Sequence, residues 1–297
     1  MTSPSHQTTR LEAGRYGSQG WPPLLWQCPN APPESAASFP ACAPVTGLRL
    51  SPAVALKKNL KELEFRGRNV LRSLLVPGAI RALRHAAEQA ATVEEFVALA
   101  ANFNHLRIKI APSQNPVEIA QLLKLLSEQP PKTLLEIGTA KGGTFFLFSR
   151  VAAPDALLIS LDLPLQRSGL GSPAWRDKLC RSFARAQQRI ELVRADSHKP
   201  ATAEGIRQLL GDRLVDFLLI DGDHSYEGAK TDYELYSPLV ARGGLIGFHD
   251  IVPVASDRNN GVPQLWQELK KSWPFMEFVA DWGQGAFGIG VVKNSSW

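Results

Sequence analysis

The chain has 297 residues, 44% of them apolar and 21% charged, with a formal net charge of +5. That balance is ordinary for a soluble globular protein and suits one large domain with an appendage, or two domains. No run of about 18 apolar residues exists for a membrane span. Three cysteines, Cys28, Cys42 and Cys180, make an odd set without a C-x-x-C pair, which argues against a disulfide framework or a thiolate metal site. The N-terminus lacks the basic-then-apolar pattern of a signal peptide, so the expected location is cytoplasmic.

Residues 1–50 are rich in Pro, Ser, Ala and Gly without periodicity and read as a disordered leader. Residues 51–112 read as a helical cap or dimerisation segment. Leu56, Leu60, Leu63, Val70, Leu71, Leu74 and Leu75 fall near helical spacing, with breaks expected at Gly67 and at Pro77-Gly78. A second helix is expected over 79–90, and a third after Thr92, where T-x-E-E resembles a capping start. Between Lys57 and His85, eight Lys/Arg stand against Glu62 and Glu64. A solvated helix face is the plain reading of that cluster; phosphate, acidic lipid or an acidic partner is the alternative.

From 113 onward, strands and helices alternate. Residues 114–127 form an amphipathic helix opened by Pro116, with Val117, Ile119, Ala120, Leu122, Leu123 and Leu126 able to face a sheet. KTLLEIGTAKGGTFFLFSR follows: a buried strand over 133–137, a turn with Gly138, Gly142 and Gly143, and a helix from about Thr144. Further strands are expected at 156–164, 190–196, 214–223 and 245–250, and two last ones at 276–280 and 286–293 flanking the turn DWGQG. Helices are expected at 172–188, 203–210, 226–239 and 261–272. Strands this apolar, alternating with helices, imply a parallel sheet covered on both faces, and the closing hairpin implies one reversed strand.

Acids mark the carboxyl ends of five successive strands: Glu136, Asp162, Asp196, Asp221 and Asp250. Ligands bind beyond these ends in an open parallel sheet. Five carboxylates gathered there need cations or hydrogen-bond donors to meet them. Helix capping by Asp accounts for one or two of the five at most.

The segments LLEIGTAKGGT, LISLDLP, ELVRADSH and LLIDGDHSYEGAKTDYELYSPLVARGGLIGFHDI resemble class I S-adenosylmethionine-dependent methyltransferases over about residues 113–293. The last resembles bacterial small-molecule or sugar O-methyltransferases with cephalosporin hydroxylase-like relatives. That resemblance implies a Rossmann-like doubly wound α/β sheet over 113–297, mostly parallel with one antiparallel strand near the C-terminus. It implies S-adenosylmethionine as cofactor, with Glu136, Gly138, Thr139 and Gly142 about its methionine part. Asp162, with Leu163, would meet the ribose hydroxyls, a task suited to a carboxylate. Asp196 and Ser197 would lie by the adenine, and Asp221 beside the reacting end.

Methyl transfer to a hydroxyl needs the proton removed. A base near neutral pKa does this, or a divalent metal acidifies the hydroxyl. His224 and His249 are the candidate bases. Asp221 and Asp250 are the candidate ligands for Mg²⁺ or another divalent cation. Related metal-dependent enzymes carry Asp-Asn at the later position, where this chain has Asp250-Ile251, so a further ligand would come from His224 or Asp223. The expected acceptor is a small molecule or sugar, with nucleic acid disfavoured and self-association through the N-terminal helices open. Two alternatives are a nicotinamide-dependent oxidoreductase, against which the glycine spacing argues, and a non-catalytic binding module of the same fold, for which Asp162 and Asp221 would have no use.

Overall fold

The computed structural model describes residues 52–166, 171–254, 257 and 259–295, with side chains from Leu63 onward. The expected leader over 1–50, and the side chains of Lys57, Lys58 and Lys61, lie outside the described residues.

In chain order the elements are α1 (Pro52–Glu88), α2 (Val93–Asn102), the short strands β1 (Asn104–His105) and β2 (Ile108–Lys109), α3 (Pro116–Glu128) and β3 (Thr133–Ile137). There follow α4 (Gly143–Val151), β4 (Leu157–Asp162), α5 (Ala174–Arg181), β5 (Arg189–Arg194), α6 (Pro200–Leu210), β6 (Val215–Ile220) and α7 (Tyr226–Tyr236). After a 3-10 turn come β7 (Val240–His249), α8 (Val262–Leu269), β8 (Phe275–Phe278) and β9 (Ile289–Lys293).

Seven strands form one sheet in the order β5-β4-β3-β6-β7-β9-β8. β9 runs antiparallel to both β7 and β8, and the other pairings are parallel. The expected sheet, with a single reversed strand, is therefore the observed one. From β3 the chain steps outward through β4 to β5, then returns across the sheet to β6 at β3's other edge. The switch in direction falls between β3 and β6, which is where open α/β sheets hold ligands.

Strand side chains alternate between two cores. Leu134, Leu158, Phe217 and Leu219 pack with residues of α1 to α5, whereas Leu135, Ile159, Leu218 and Ile220 pack with α6, α7 and α8. α2 begins with the expected capping box: Thr92 Oγ1 accepts from Glu95 N, and Glu95 reaches back to Thr92 N. α3 begins at Pro116 with Asn115 as its cap.

Three expectations need correction. Neither Gly67 nor Pro77-Gly78 breaks α1, which runs unbroken for 37 residues. Pro77 removes the donor for the Ser73 carbonyl, but both residues are on the exposed side of the helix, where water can serve that carbonyl. Val76, Ala79 and Leu83, on the other side, are fully buried and hold the helix to the core. Val117 does not face the sheet; it is exposed in the first turn of α3, and the buried position beside it is taken by an acid, Glu118. The helix expected over 172–188 is also shorter than its pattern, since α5 stops at Arg181 and the chain turns back at Arg185 and Gln188 to hydrogen-bond the end of α4. No helix among the described residues is long and apolar enough to cross a membrane.

Candidate active site

The turn after β3 is built against the end of β6. Asp221 N donates to the Ile137 carbonyl, and Gly138 N to the Leu161 carbonyl, both at 2.9 Å. Gly138 has φ of 93°, and a Cβ there would lie 1.9 Å from the Asp221 carbonyl oxygen. Only glycine fits. Gly142, also left-handed, caps α4, so the unpaired N–H groups of that helix open toward the same crevice.

Asp162 closes this turn from β4. One carboxylate oxygen accepts from its neighbour Leu163 N at 2.8 Å, and the other from Ala140 N at 3.1 Å. Burial raises its pKa above the ordinary value, against those two bonds and the charge of Arg194. Thr139 Oγ1 shares a 2.6 Å hydrogen bond with Ser160. Glu136 lies beneath, essentially buried, with Oε2 lacking a hydrogen-bond partner. Burial pushes its pKa well above the usual carboxylate range, the Thr139 hydroxyl offsets part of this, and the negative charges of Asp221 and Asp162 raise it further.

Beside this cradle the ends of β6 and β7 bring two acids and two imidazoles together. His249 Nδ1 lies 3.2 Å from Asp221 Oδ1 and 3.3 Å from Asp250 Oδ1. His224 Nδ1 lies 3.1 Å from Asp250 Oδ2, and its Nε2 3.5 Å from Asp221 Oδ1. Gln114 Nε2, just ahead of α3, donates to Asp221 Oδ2 at 2.9 Å. Burial alone would raise Asp221, but the two imidazoles outweigh it and hold its pKa below the ordinary value. Burial alone would lower His249, but Asp221 and Asp250 push it up to about 10. The two carboxylates thus favour the charged form of His249. It lies between the two carboxylates, and both candidate histidines are in reach of the same pair of acids. His224 is half exposed, and its pKa is raised first by its hydrogen bond to Asp221.

Asp221, His224 and Asp250 each offer a ligand atom within 4.8 Å of the others, a donor set that fits one divalent cation. Asp223 stays apart: its carboxylate accepts from Ser225 N at 2.9 Å and packs on the first turn of α7 at Gly228. Of the two candidates for the further ligand, His224 is the one in place.

Asp196 and Ser197 lie on the loop after β5. Asp196 accepts from His198 N at 3.0 Å and lies 3.6 Å from Lys199. Ser197 is held through its carbonyl by the Tyr236 hydroxyl at 2.9 Å. Beneath this loop Asp232 is fully buried, 3.7 Å from His198. Its pKa is pushed up to about 6, first by burial, against smaller lowering by Ser197 and His198. Between about pH 4 and pH 6 the folded protein therefore keeps a proton that the unfolded chain has lost, and stability falls as pH rises through that window. Asp232→Asn is expected to raise unfolding free energy by about 1–3 kcal/mol at pH 7.5 and to change it little at pH 4. Denaturant melts at the two pH values check this; an equal effect at both would sink it.

A glycine turn at the switch point, an acid closing it from the next strand, and a polar cluster over the ends of β6 and β7 therefore lie together at one rim of the sheet. Residues 135–251 match the family described as "Methyltransferase domain". That stretch, which runs from the strand before the glycine turn to the end of the fifth parallel strand, is where the chain is similar to methyltransferase domains. An uncharacterized protein, y4gI, of Sinorhizobium fredii is 27% identical over 157 residues, 52% of this chain and 17% of its own length. Another, R132 of Acanthamoeba polyphaga mimivirus, is 27% identical over 134 residues, 41% of this chain and 53% of its own. The chain thus spans about half the length of one curated relative and about a sixth of the other. Among solved structures, an O-methyltransferase from Bacillus cereus in complex with SAH is 18% identical, with 69% of this chain and 91% of that one aligned at a TM-score of 0.47. The N-methyltransferase NodS from Bradyrhizobium japonicum is 17% identical, with 62% and 100% aligned at 0.44.

Sequence reasoning passed over Glu118 and Phe287, both of which the structure ties to this cluster. The signal for Glu118 was present: four residues before Leu122, an acid sits on the apolar stripe of an amphipathic helix.

Proposed function

We propose that the protein transfers a methyl group from S-adenosylmethionine to a hydroxyl oxygen of a small molecule or sugar. The observation that carries this is the convergence of Asp221, His224 and Asp250 beside the glycine turn of β3. S-adenosylmethionine supplies the methyl on a sulfonium sulfur. Gly138, Thr139 and Gly142 present backbone to its methionine part, and the buried Glu136 faces that region with one oxygen unpartnered. Asp162 keeps lone pairs for two ribose hydroxyls, and Asp196 and Ser197 border the adenine.

His224 gives its Nδ1–H to Asp250 Oδ2, which leaves Nε2 to take the acceptor's hydroxyl proton. Asp221 Oδ1, beside that nitrogen, stabilises the imidazolium that forms. Asp221 and Asp250 are kept apart in charge terms by the His249 cation between them. A second reading rests on the same three residues: a divalent cation held by Asp221, His224 and Asp250 would acidify the acceptor hydroxyl instead. The chemistry excludes both at once, because a ligating His224 nitrogen cannot accept the proton.

Calorimetric titration with S-adenosylhomocysteine, followed by an acceptor screen with labelled cofactor with and without chelator, tests the proposal. Absence of cofactor binding would sink it, and loss of turnover on chelation would select the cation reading. Asp162→Ala is expected to weaken cofactor binding by about 1.5–3 kcal/mol, the worth of hydrogen bonds to a charged group. Unchanged affinity by calorimetry would remove the ribose role. We place the protein in the cytoplasm; Cys180 is a buried free thiol. Leu63, Val70, Leu71 and Leu74 leave an exposed apolar stripe on α1, which supports pairing of copies through that helix.

A further inference from the structure

Glu118 is fully buried, carries no part of the chemistry above, and is tied to a different end of the chain. Its Oε1 accepts from Ala280 N at 2.9 Å and from Gln284 Nε2 at 2.7 Å; its Oε2 accepts from Gly288 N at 2.8 Å. Asn115, one turn earlier, donates to Gln284 Oε1 at 3.2 Å. The first turn of α3 thus grips both ends of the loop joining β8 to β9. Three N–H donors thus meet the two oxygens of this buried side chain.

What the loop then touches is the catalytic cluster. Phe287 N donates to Asp250 Oδ1 at 3.2 Å, and the Phe287 ring lies 6.0 Å from that of His249. Phe287 and Asp250 both have left-handed backbones, with φ of 67° and 61°. Two non-glycine residues in that region cost on the order of 1 kcal/mol each or more, and persist only where surrounding contacts fix them. Phe287 is fixed from two sides: its carbonyl accepts from Val252 N at 3.0 Å and that of Gly288 from Ile251 N at 3.3 Å, while the Gly288 N–H is bound to Glu118. The same helix start sends Gln114 to Asp221, so α3 braces the cluster from both sides.

We propose that Glu118 is a positioning residue: by pinning the β8–β9 loop it holds the Phe287 amide against Asp250 and so fixes the carboxylate that orients His224. This rests on reading the cluster as the catalytic centre. In the Gln variant of Glu118, one of the two oxygens becomes an NH₂ that cannot accept. Either Gly288 or the Ala280 and Gln284 pair loses its acceptor.

The test has two arms on the full chain with Glu118→Gln. Amide exchange should speed up by about tenfold at Phe287 and Gly288 and stay unchanged in β3 and β6, because local openings differ across a structure. With an accepted acceptor, kcat should fall by about tenfold while S-adenosylhomocysteine affinity is kept. On an Asp250→Asn background, the same change should cost less than about twofold, since residues acting through one another are not additive. An equal loss in both backgrounds, or exchange that rises uniformly, overturns the proposal. Should Glu118→Gln not fold, Gln284→Ala removes one of the three bonds and should shift exchange at Phe287 in the same direction; no shift overturns the proposal equally. A wild-type protein inert toward every acceptor would defeat the catalytic reading, and exchange at Phe287 would still decide whether Glu118 holds Asp250.

Discussion

Replacing Asp221 with Asn is expected to lower methyl transfer by about 10³-fold, the scale of a lost general base, and to leave the fold in place. Asp221 meets three other side chains of the site: Gln114 through Oδ2, and His249 and His224 through Oδ1. An amide keeps the shape and can still accept one bond, but it removes the charge. His249 then loses the larger of the two attractions that hold it protonated, and the imidazolium of His224 loses its partner in the transition state. The fold has little stake in the change, because the end of β6 is set by backbone bonds to β3 and by Leu218 and Ile220 in the core. Turnover with labelled cofactor, alongside a thermal melt, measures both halves. A variant within about tenfold of wild type would mean that neither a base nor a cation is organised by this carboxylate.

The fold was legible because its strands are short apolar runs punctuated by glycine, proline and acids. β3, β6 and β9 lie within a few residues of where TLLEI, LVDFLLI and GIGVVK place them. Four of the five strand-end acids converge as their positions at the carboxyl ends require. Asp196 instead lies past its strand's end, because β5 stops at Arg194 and Ala195 carries the acid onto a loop with partners of its own. Helix interruptions were read wrongly for a related reason. Pro77 and Gly78 weaken a helix locally, but three buried side chains on the opposite face outweigh them, and burial is a tertiary fact. The contacts of Glu118 lie between 162 and 170 residues away in the chain, out of reach of any local pattern. The protonation of His249 was hidden likewise, since it depends on two carboxylates from two strands.

The second large effect concerns the N-terminal segment, which the sequence divides from the methyltransferase domain near residue 112. A fragment of residues 113–297 is expected not to fold, whereas one beginning at residue 52 should melt like the full chain. Val76, Leu83, Val97, Phe103, Ile108 and Ile110 are all buried in the same core as Phe145, Phe146 and Trp175. Each such side chain contributes about 1.5–3 kcal/mol on burial, so the six together contribute on the order of 10 kcal/mol. A whole domain is stable by only about 5–15 kcal/mol. The polar contacts point the same way: Trp175 Nε1 donates to Asn69 at 2.9 Å, and Arg72 lies 5.6 Å over the Trp175 ring. At the cofactor turn the dependence becomes direct, since a Cβ on Gly143 would lie 2.0 Å from the Ile110 carbonyl. The segment that carries no chemistry thus forms the outer wall of the helix whose N-terminus opens on the site. Circular dichroism and dye binding on the two fragments decide the matter. A cooperative melt for 113–297 within a few degrees of the full chain would show that the wall is dispensable, and that the six side chains pack on a surface able to stand alone.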